Sequence, residues 1–239
     1  MEKIDGWWFP DNEKHLPQWI ANPKVRMFLN GRAAYQGAKQ VAAMDLCTNF
    51  RTAVDCGSHI GLWSWNLAHR FDSVHAFEPV AAHRECFNKN LGLDHRSKTE
   101  NATAEQLGKM VPGVTVDLHA CALGDHEGSV SIRTEPTSSG DSRIDGDGDI
   151  PLKTLDSFHL EDVDLLKIDV EGTELFVLRG AEELLAKQRP VIVVEQKPGH
   201  AQKYGLGEQD AIPYLESLGY RLVKEMAGDF FFVPNERHG

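Results

Sequence analysis

The chain has 239 residues, 41% hydrophobic and 26% charged, enough for one full core with a small addition and too few for a second catalytic domain. A formal net charge of −11, with Lys and Arg dispersed, argues against a nucleic-acid partner, because phosphate binding needs a basic face that releases counterions. No apolar run approaches the ~18 residues that span a bilayer, and no charged-then-apolar leader opens the chain, so a soluble, cytoplasmic protein is expected. Its four cysteines, Cys47, Cys56, Cys86 and Cys121, fall in segments read as helix, loop, helix and strand without CxxC spacing, which favours a reducing compartment over a zinc site or disulfide framework.

Residues 1–50 read as an N-terminal extension, with Gly6-Trp7-Trp8-Phe9-Pro10 and Trp19 ahead of a helix expected over Arg32 to Asn49. Such rings would staple the extension to the sheet or to a second copy of the chain, as a homo-oligomer requires. Flat rings would also serve as a lid or acceptor platform, and the sequence does not decide between these.

Residues 51–239 read as one nucleotide-binding domain. Arg51 to Asp55 is a buried strand, Leu62 to Arg70 a helix with an apolar stripe, and Ser73 to Phe77 a second strand ending at Glu78-Pro79. The loop between them reads Asp55-x-Gly57-x-x-x-Gly61. A dinucleotide site normally reads GxGxxG, and a carboxylate at its entry would oppose the pyrophosphate. S-adenosylmethionine has no phosphate and carries sulfonium and ammonium cations, which an acidic loop suits. Glu78 is placed to accept the two ribose hydroxyls, as the acid about 20 residues beyond the glycines does in dinucleotide sites.

Farther along, Ala81 to Leu91 is a helix, Val114 to Ala122 a strand, and Ser129 to Thr134 a hairpin strand after Gly124-Asp125. Glu135 to Ile150, rich in Gly, Ser and Asp, is a loop that would cover the site, with Ser138, Ser139 and Arg143 as polar contacts. Its DGDGD run lacks the bidentate Glu of a calcium loop, so no metal is expected there. Leu165 to Asp169 is a strand whose alternation puts Lys167 and Asp169 on one face, followed by Glu171-Gly172 and a helix over Thr173 to Lys187. Pro190 to Glu195 is a further buried strand, and Tyr220 to Met226 with Asp229 to Val233 a closing hairpin about Ala227-Gly228. Asp55, Glu78, Asp169 and Glu195 thus all close strands, at the edge where open parallel sheets bind ligands.

Through VDCGSHIG, AFEP, CALGD, LKIDVEGTE with VLRGA, and PVIVVEQ, the chain resembles the FkbM-type S-adenosylmethionine-dependent methyltransferases over roughly Arg51 to Gln196. The resemblance implies a Rossmann-like class I fold, a seven-stranded mainly parallel sheet with an antiparallel closing hairpin. It also implies methyl transfer to a hydroxyl oxygen of a small-molecule or glycan acceptor. Carried onto this chain, it places Asp55, Gly57, Ser58, His59 and Gly61 around the methionine and ribose portions, His59 through its backbone. Glu78 and Pro79 fall at the ribose, Cys121 and Ala122 at the adenine, and Asp169 and Glu171 at the transferred methyl group.

For the general base the order of preference is Asp169, Glu171, then His200, with Glu174 read as a helix-end acid. Two other functions fit less well: a cofactor-binding subunit without chemistry of its own, and an NAD-dependent oxidoreductase. The latter is disfavoured by the acid before Gly57 and by the absence of a Lys four residues after Tyr204 or Tyr214.

Overall fold

The computed structural model describes residues 1–93, 101–102, 114–135 and 137–236. Its main sheet holds, in spatial order, Tyr220–Met226, Asp229–Pro234, Val191–Glu195, Val163–Ile168, Thr52–Cys56, Ser73–Phe77, Thr115–His119 and Asn101–Ala102. The five strands from Val191–Glu195 to Thr115–His119 run parallel, whereas the C-terminal hairpin and the two-residue edge strand are antiparallel. These are the seven long strands of the Rossmann-like class I methyltransferase fold, with one short strand added at the edge.

The central strands TAVDC, VDLLKI and VIVVE are buried along their whole length, because both faces of the sheet are covered. Ala53, Leu165 and Val193 pack on one face against Trp63, Leu67 and Phe87. Val54, Leu166 and Ile192 pack on the other against Leu178, Leu184 and Leu215. From Thr52–Cys56 the chain steps outward to Ser73–Phe77 and Thr115–His119, then returns to the opposite side at Val163–Ile168. Connections leave these two central neighbours in opposite directions, which opens a crevice at their carboxyl ends.

Several elements differ from the sequence expectation for identifiable reasons. The helix expected from Arg32 begins only at Gly37, because Asn30 and Gly31, both at positive φ, turn Met27–Leu29 back onto Arg32–Ala34. Asp5-Gly6 joins Glu2–Ile4 to Trp7–Phe9 in the same way. The helix over Thr173 to Lys187 is two, Glu174–Arg179 and Glu182–Gln188. The distant Asp156 carboxylate caps the second by accepting the Glu183 and Leu184 N–H groups, each at 2.9 Å.

Cys56 ends a strand and does not begin a loop. The strand expected to Ala122 stops at His119, and Ala122–Leu123 joins a separate three-stranded sheet. Ser129 to Thr134 breaks at Ser131, whose N–H donates to the Gly146 carbonyl and whose hydroxyl donates to that of Asp145. The DGDGD run is therefore an exposed turn. Trp7 and Phe9 are buried in the same core cluster as the sheet, and the Trp7 indole N–H donates to the Ala33 carbonyl at 2.8 Å. No helix among the described residues is long and apolar enough to cross a membrane.

Candidate active site

The ends of the two central strands meet because the chain there lacks bulk. Lys167 lies opposite Asp55 and Ile168 opposite Cys56, and the Asp169 N–H donates to the Cys56 carbonyl at 3.0 Å. Gly57 follows with φ +77°, and a Cβ on it would lie 1.8 Å from the Asp169 carbonyl oxygen. Only glycine lets both strand ends close on one crevice. Gly61, at φ +87°, turns the chain into the Leu62–Ala68 helix.

A cavity of about 1050 Å³, counting its open mouth, occupies the crevice. Gly57, Ser58, His59, Glu78 and Pro79 line one part of it, Cys121 and Ala122 another, and Asp169 and Glu171 the end toward the second motif. His15, Leu16 and Tyr35 add a wall from the N-terminal segment. One Glu78 oxygen accepts the His59 N–H at 2.9 Å, and the other accepts the Val80 N–H at 2.8 Å and faces His83 Nδ1 at 3.2 Å.

Three expected site residues stand elsewhere. Asp55 is fully buried behind the loop, accepts the Ser64 hydroxyl at 2.6 Å and pairs with Lys167 at 3.0 Å, so its charge is spent within the protein and does not face a cofactor cation. Gly61 shapes the helix start and is not on the cavity wall. His200 lies behind Glu171, its Nδ1 2.9 Å from Glu171 Oε2, and does not reach the cavity. Burial, then the Lys197 charge, lowers the His200 pKa. His59 was expected to act through its backbone alone, yet its ring lines the cavity with Nε2 2.8 Å from the Ser139 hydroxyl.

The acids at the far end occupy contrasting environments. Burial alone would raise Asp169, but the ammonium groups of Lys167, 3.7 Å away, and Lys197 hold it well below the usual carboxylate range. Burial and the Asp169 charge push Glu171 up to about 8 and Glu195 up to about 9. Lys197 bridges these two at 2.6 and 2.8 Å. Glu171 sits at φ +62°, a strained setting for a non-glycine residue. One carboxylate oxygen from each of Asp169, Glu171 and Glu195 lies within 4.8 Å of the others, a spacing that suits a divalent cation, and the Lys197 ammonium supplies positive charge there.

Lys167 was visible in the KID alternation, and Lys197 follows Glu195 at the same two-residue spacing. By contrast, Glu13 carries no local signal. Its carboxylate accepts the N–H and hydroxyl of Ser139, 126 residues away, and so ties the N-terminal segment to the Glu135–Ile150 loop beside the cavity.

The doubly wound sheet, the glycine loop at its switch point and the acids along one cavity define the class I methyltransferase fold. The methyltransferase FkbM domain model matches residues 55–222, and the chain belongs to that family. It is 27% identical over 203 residues to methyltransferase sdnD of Sordaria araneosa, covering 73% of this chain and 75% of that protein. It is 26% identical over 161 residues to methyltransferase 1 of Beauveria bassiana (strain ARSEF 2860), covering 54% of this chain and 58% of that one. The crystal structure of methyltransferase FkbM from Methylobacillus flagellatus KT superposes with a TM-score of 0.50 at 17% identity, over 77% of this chain and 43% of that one. The chain thus spans little more than half of the Beauveria protein and less than half of the Methylobacillus one.

S-adenosylmethionine, the cofactor of this family, fits the residues present. The Ser58 hydroxyl is buried beside the cavity with no hydrogen-bond partner among the described residues, a polar group left for a ligand. Ser58→Ala is expected to weaken S-adenosylhomocysteine about fivefold, the equivalent of about 1 kcal/mol for one hydrogen bond, without lowering the melting temperature. Unchanged affinity in calorimetry would remove Ser58 from the contact set.

Proposed function

We propose that the protein transfers a methyl group to a hydroxyl oxygen of a small-molecule or glycan acceptor. The observation that carries this reading is the meeting of the two motifs at one cavity, where two carboxylates are driven to opposite protonation behaviour. Pairs of acids pushed apart in this way mark different roles. S-adenosylmethionine, when bound, supplies an electrophilic methyl group on a sulfonium that departs as the neutral thioether.

Ser58 and Glu78 would hold the methionine and ribose portions, and Cys121 and Ala122 would border the adenine. Asp169, an anion throughout the working range, would orient the acceptor hydroxyl. Glu171 is the better general base, ahead of Asp169, because a pKa near working pH suits proton transfer. Its buried Oε2 faces His200 Nδ1 at 2.9 Å. The same proposal takes residues 1–50 as an addition to a 51–239 catalytic domain, and the protein as cytoplasmic, without nucleic-acid or membrane partners and with homo-oligomer contacts left to the N-terminal segment.

The test is transfer of labelled methyl from S-adenosylmethionine to a panel of alcohols, phenols, amines and thiols. Label on oxygen supports the reading, and label on nitrogen or sulfur alone overturns it. With an accepted hydroxyl compound, turnover is expected to climb as pH rises through about 8, where Glu171 loses its proton, and then level off. Glu171→Gln should lower kcat by about 10² to 10⁴ and leave S-adenosylhomocysteine affinity unchanged. A pH-independent wild-type rate would exclude Glu171 as base.

A further inference from the structure

Each carboxylate on the cavity wall has partners within the protein. Asp169 faces Lys167, Glu171 faces Lys197, Glu78 accepts two backbone N–H groups and Asp141 accepts the Ser138 hydroxyl. One cation on the same wall, Arg143, is held by an ion pair alone. The Arg143 side chain is only 22% exposed, and its guanidinium makes no hydrogen bond among the described residues. Its nearest carboxylate, Glu135, is 3.6 Å away and is shared with Arg133 at 3.4 Å.

A guanidinium presents five donors in a rigid fork that matches the two oxygens of a carboxylate or phosphate. The backbone beside Arg143 is fixed: Arg143–Ile144 pairs with Ile132–Arg133, and the Tyr204 hydroxyl donates to the Ile144 carbonyl at 2.9 Å. A Cβ on Gly172 would lie 3.0 Å from the Tyr204 ring, so the tyrosine that holds Ile144 stands beside the Glu171-Gly172 turn, which puts Arg143 toward the acceptor end of the cavity. Ile132 and Ile144 beside it, with Leu16 and Trp63 elsewhere on the wall, give the cavity apolar lining among the polar side chains of Ser138, Ser139 and Ser142.

We propose that the acceptor is an apolar small molecule carrying an anionic carboxylate or phosphate group, which docks on Arg143 while a hydroxyl elsewhere on the molecule reaches Glu171. This rests on the methyltransferase reading of the same cavity and narrows its acceptor class. It makes Arg143 a specificity-determining residue and disfavours a neutral glycan.

The test is calorimetry on protein saturated with S-adenosylhomocysteine, titrated with benzoate, phenyl phosphate and the neutral benzyl alcohol. At least one anion should bind tenfold or more tighter than the alcohol, and the better anion distinguishes carboxylate from phosphate. Arg143→Gln should abolish that preference while S-adenosylhomocysteine still binds, and Arg143→Lys should retain part of it, since the charge remains without the fork. Equal binding of all three probes, no binding of any, or a preference that survives Arg143→Gln overturns the acceptor proposal alone. Failure of S-adenosylhomocysteine to bind overturns the methyltransferase reading beneath it.

Discussion

Replacing Gly57 with alanine is expected to abolish cofactor binding, with S-adenosylhomocysteine affinity falling by at least about 100-fold. Two effects combine. The added Cβ would lie 1.8 Å from the Asp169 carbonyl oxygen, a backbone atom that cannot swing aside as a flexible side chain can. The residue also sits at φ +77°, where any L side chain is strained by about 1–2 kcal/mol. Relief requires the loop to part from the Val163–Ile168 strand, which pulls the His59 N–H away from Glu78 and separates the two motifs. Calorimetry and thermal unfolding on the variant check this. Near-native affinity would mean that the junction is looser than the contact distances imply.

Lys167→Met should be the most destabilising single change at the site, by about 3–5 kcal/mol, because it leaves a buried charge uncompensated. Lys167 is nearly buried, its ammonium 3.0 Å from the fully buried Asp55 and 3.7 Å from Asp169, and it donates to the Gly57 carbonyl at 3.1 Å. Both attached acids raise its pKa despite the opposing effect of burial. Losing the ammonium removes the partner of Asp55, while the methionine stem still fills the space beside Trp63. Such a loss is a large share of a stability of typically 5–15 kcal/mol. Urea unfolding measures it, and adding Asp55→Asn to Lys167→Met should recover most of the loss. A cost below about 1 kcal/mol would show that the Lys167–Asp55 pair does not carry this stability.

The parts of this fold legible in the sequence are those fixed by local chemistry. TAVDC, LLKID and VIVVE read as strands because a sheet covered on both faces needs continuous apolar runs, and Asp-x-Gly and Glu-Gly mark turns that side chains would block. The hairpins at Asp5-Gly6 and Asn30-Gly31 were equally local, but the aromatic run and the Ala-rich stretch around them masked the turn signal. Contacts made across the chain were not legible. Asp156 capping the Glu182–Gln188 helix, Glu13 holding Ser139, and Asp55 turned inward to Lys167 all depend on neighbours more than 25 residues away. The same holds for the order of the bases. Sequence places Asp169 and Glu171 together, but only the positions of Lys167 and Lys197 show that one is kept ionised while burial raises the other.

The central claim is that this cavity binds S-adenosylmethionine. It is tested most directly by titrating the purified protein with S-adenosylhomocysteine, with NAD titrated in parallel. Micromolar binding of S-adenosylhomocysteine, absent for NAD and at least tenfold weaker in Glu78→Gln, is the expected result. Binding of NAD, or of neither ligand, would contradict the functional account and leave the fold alone standing.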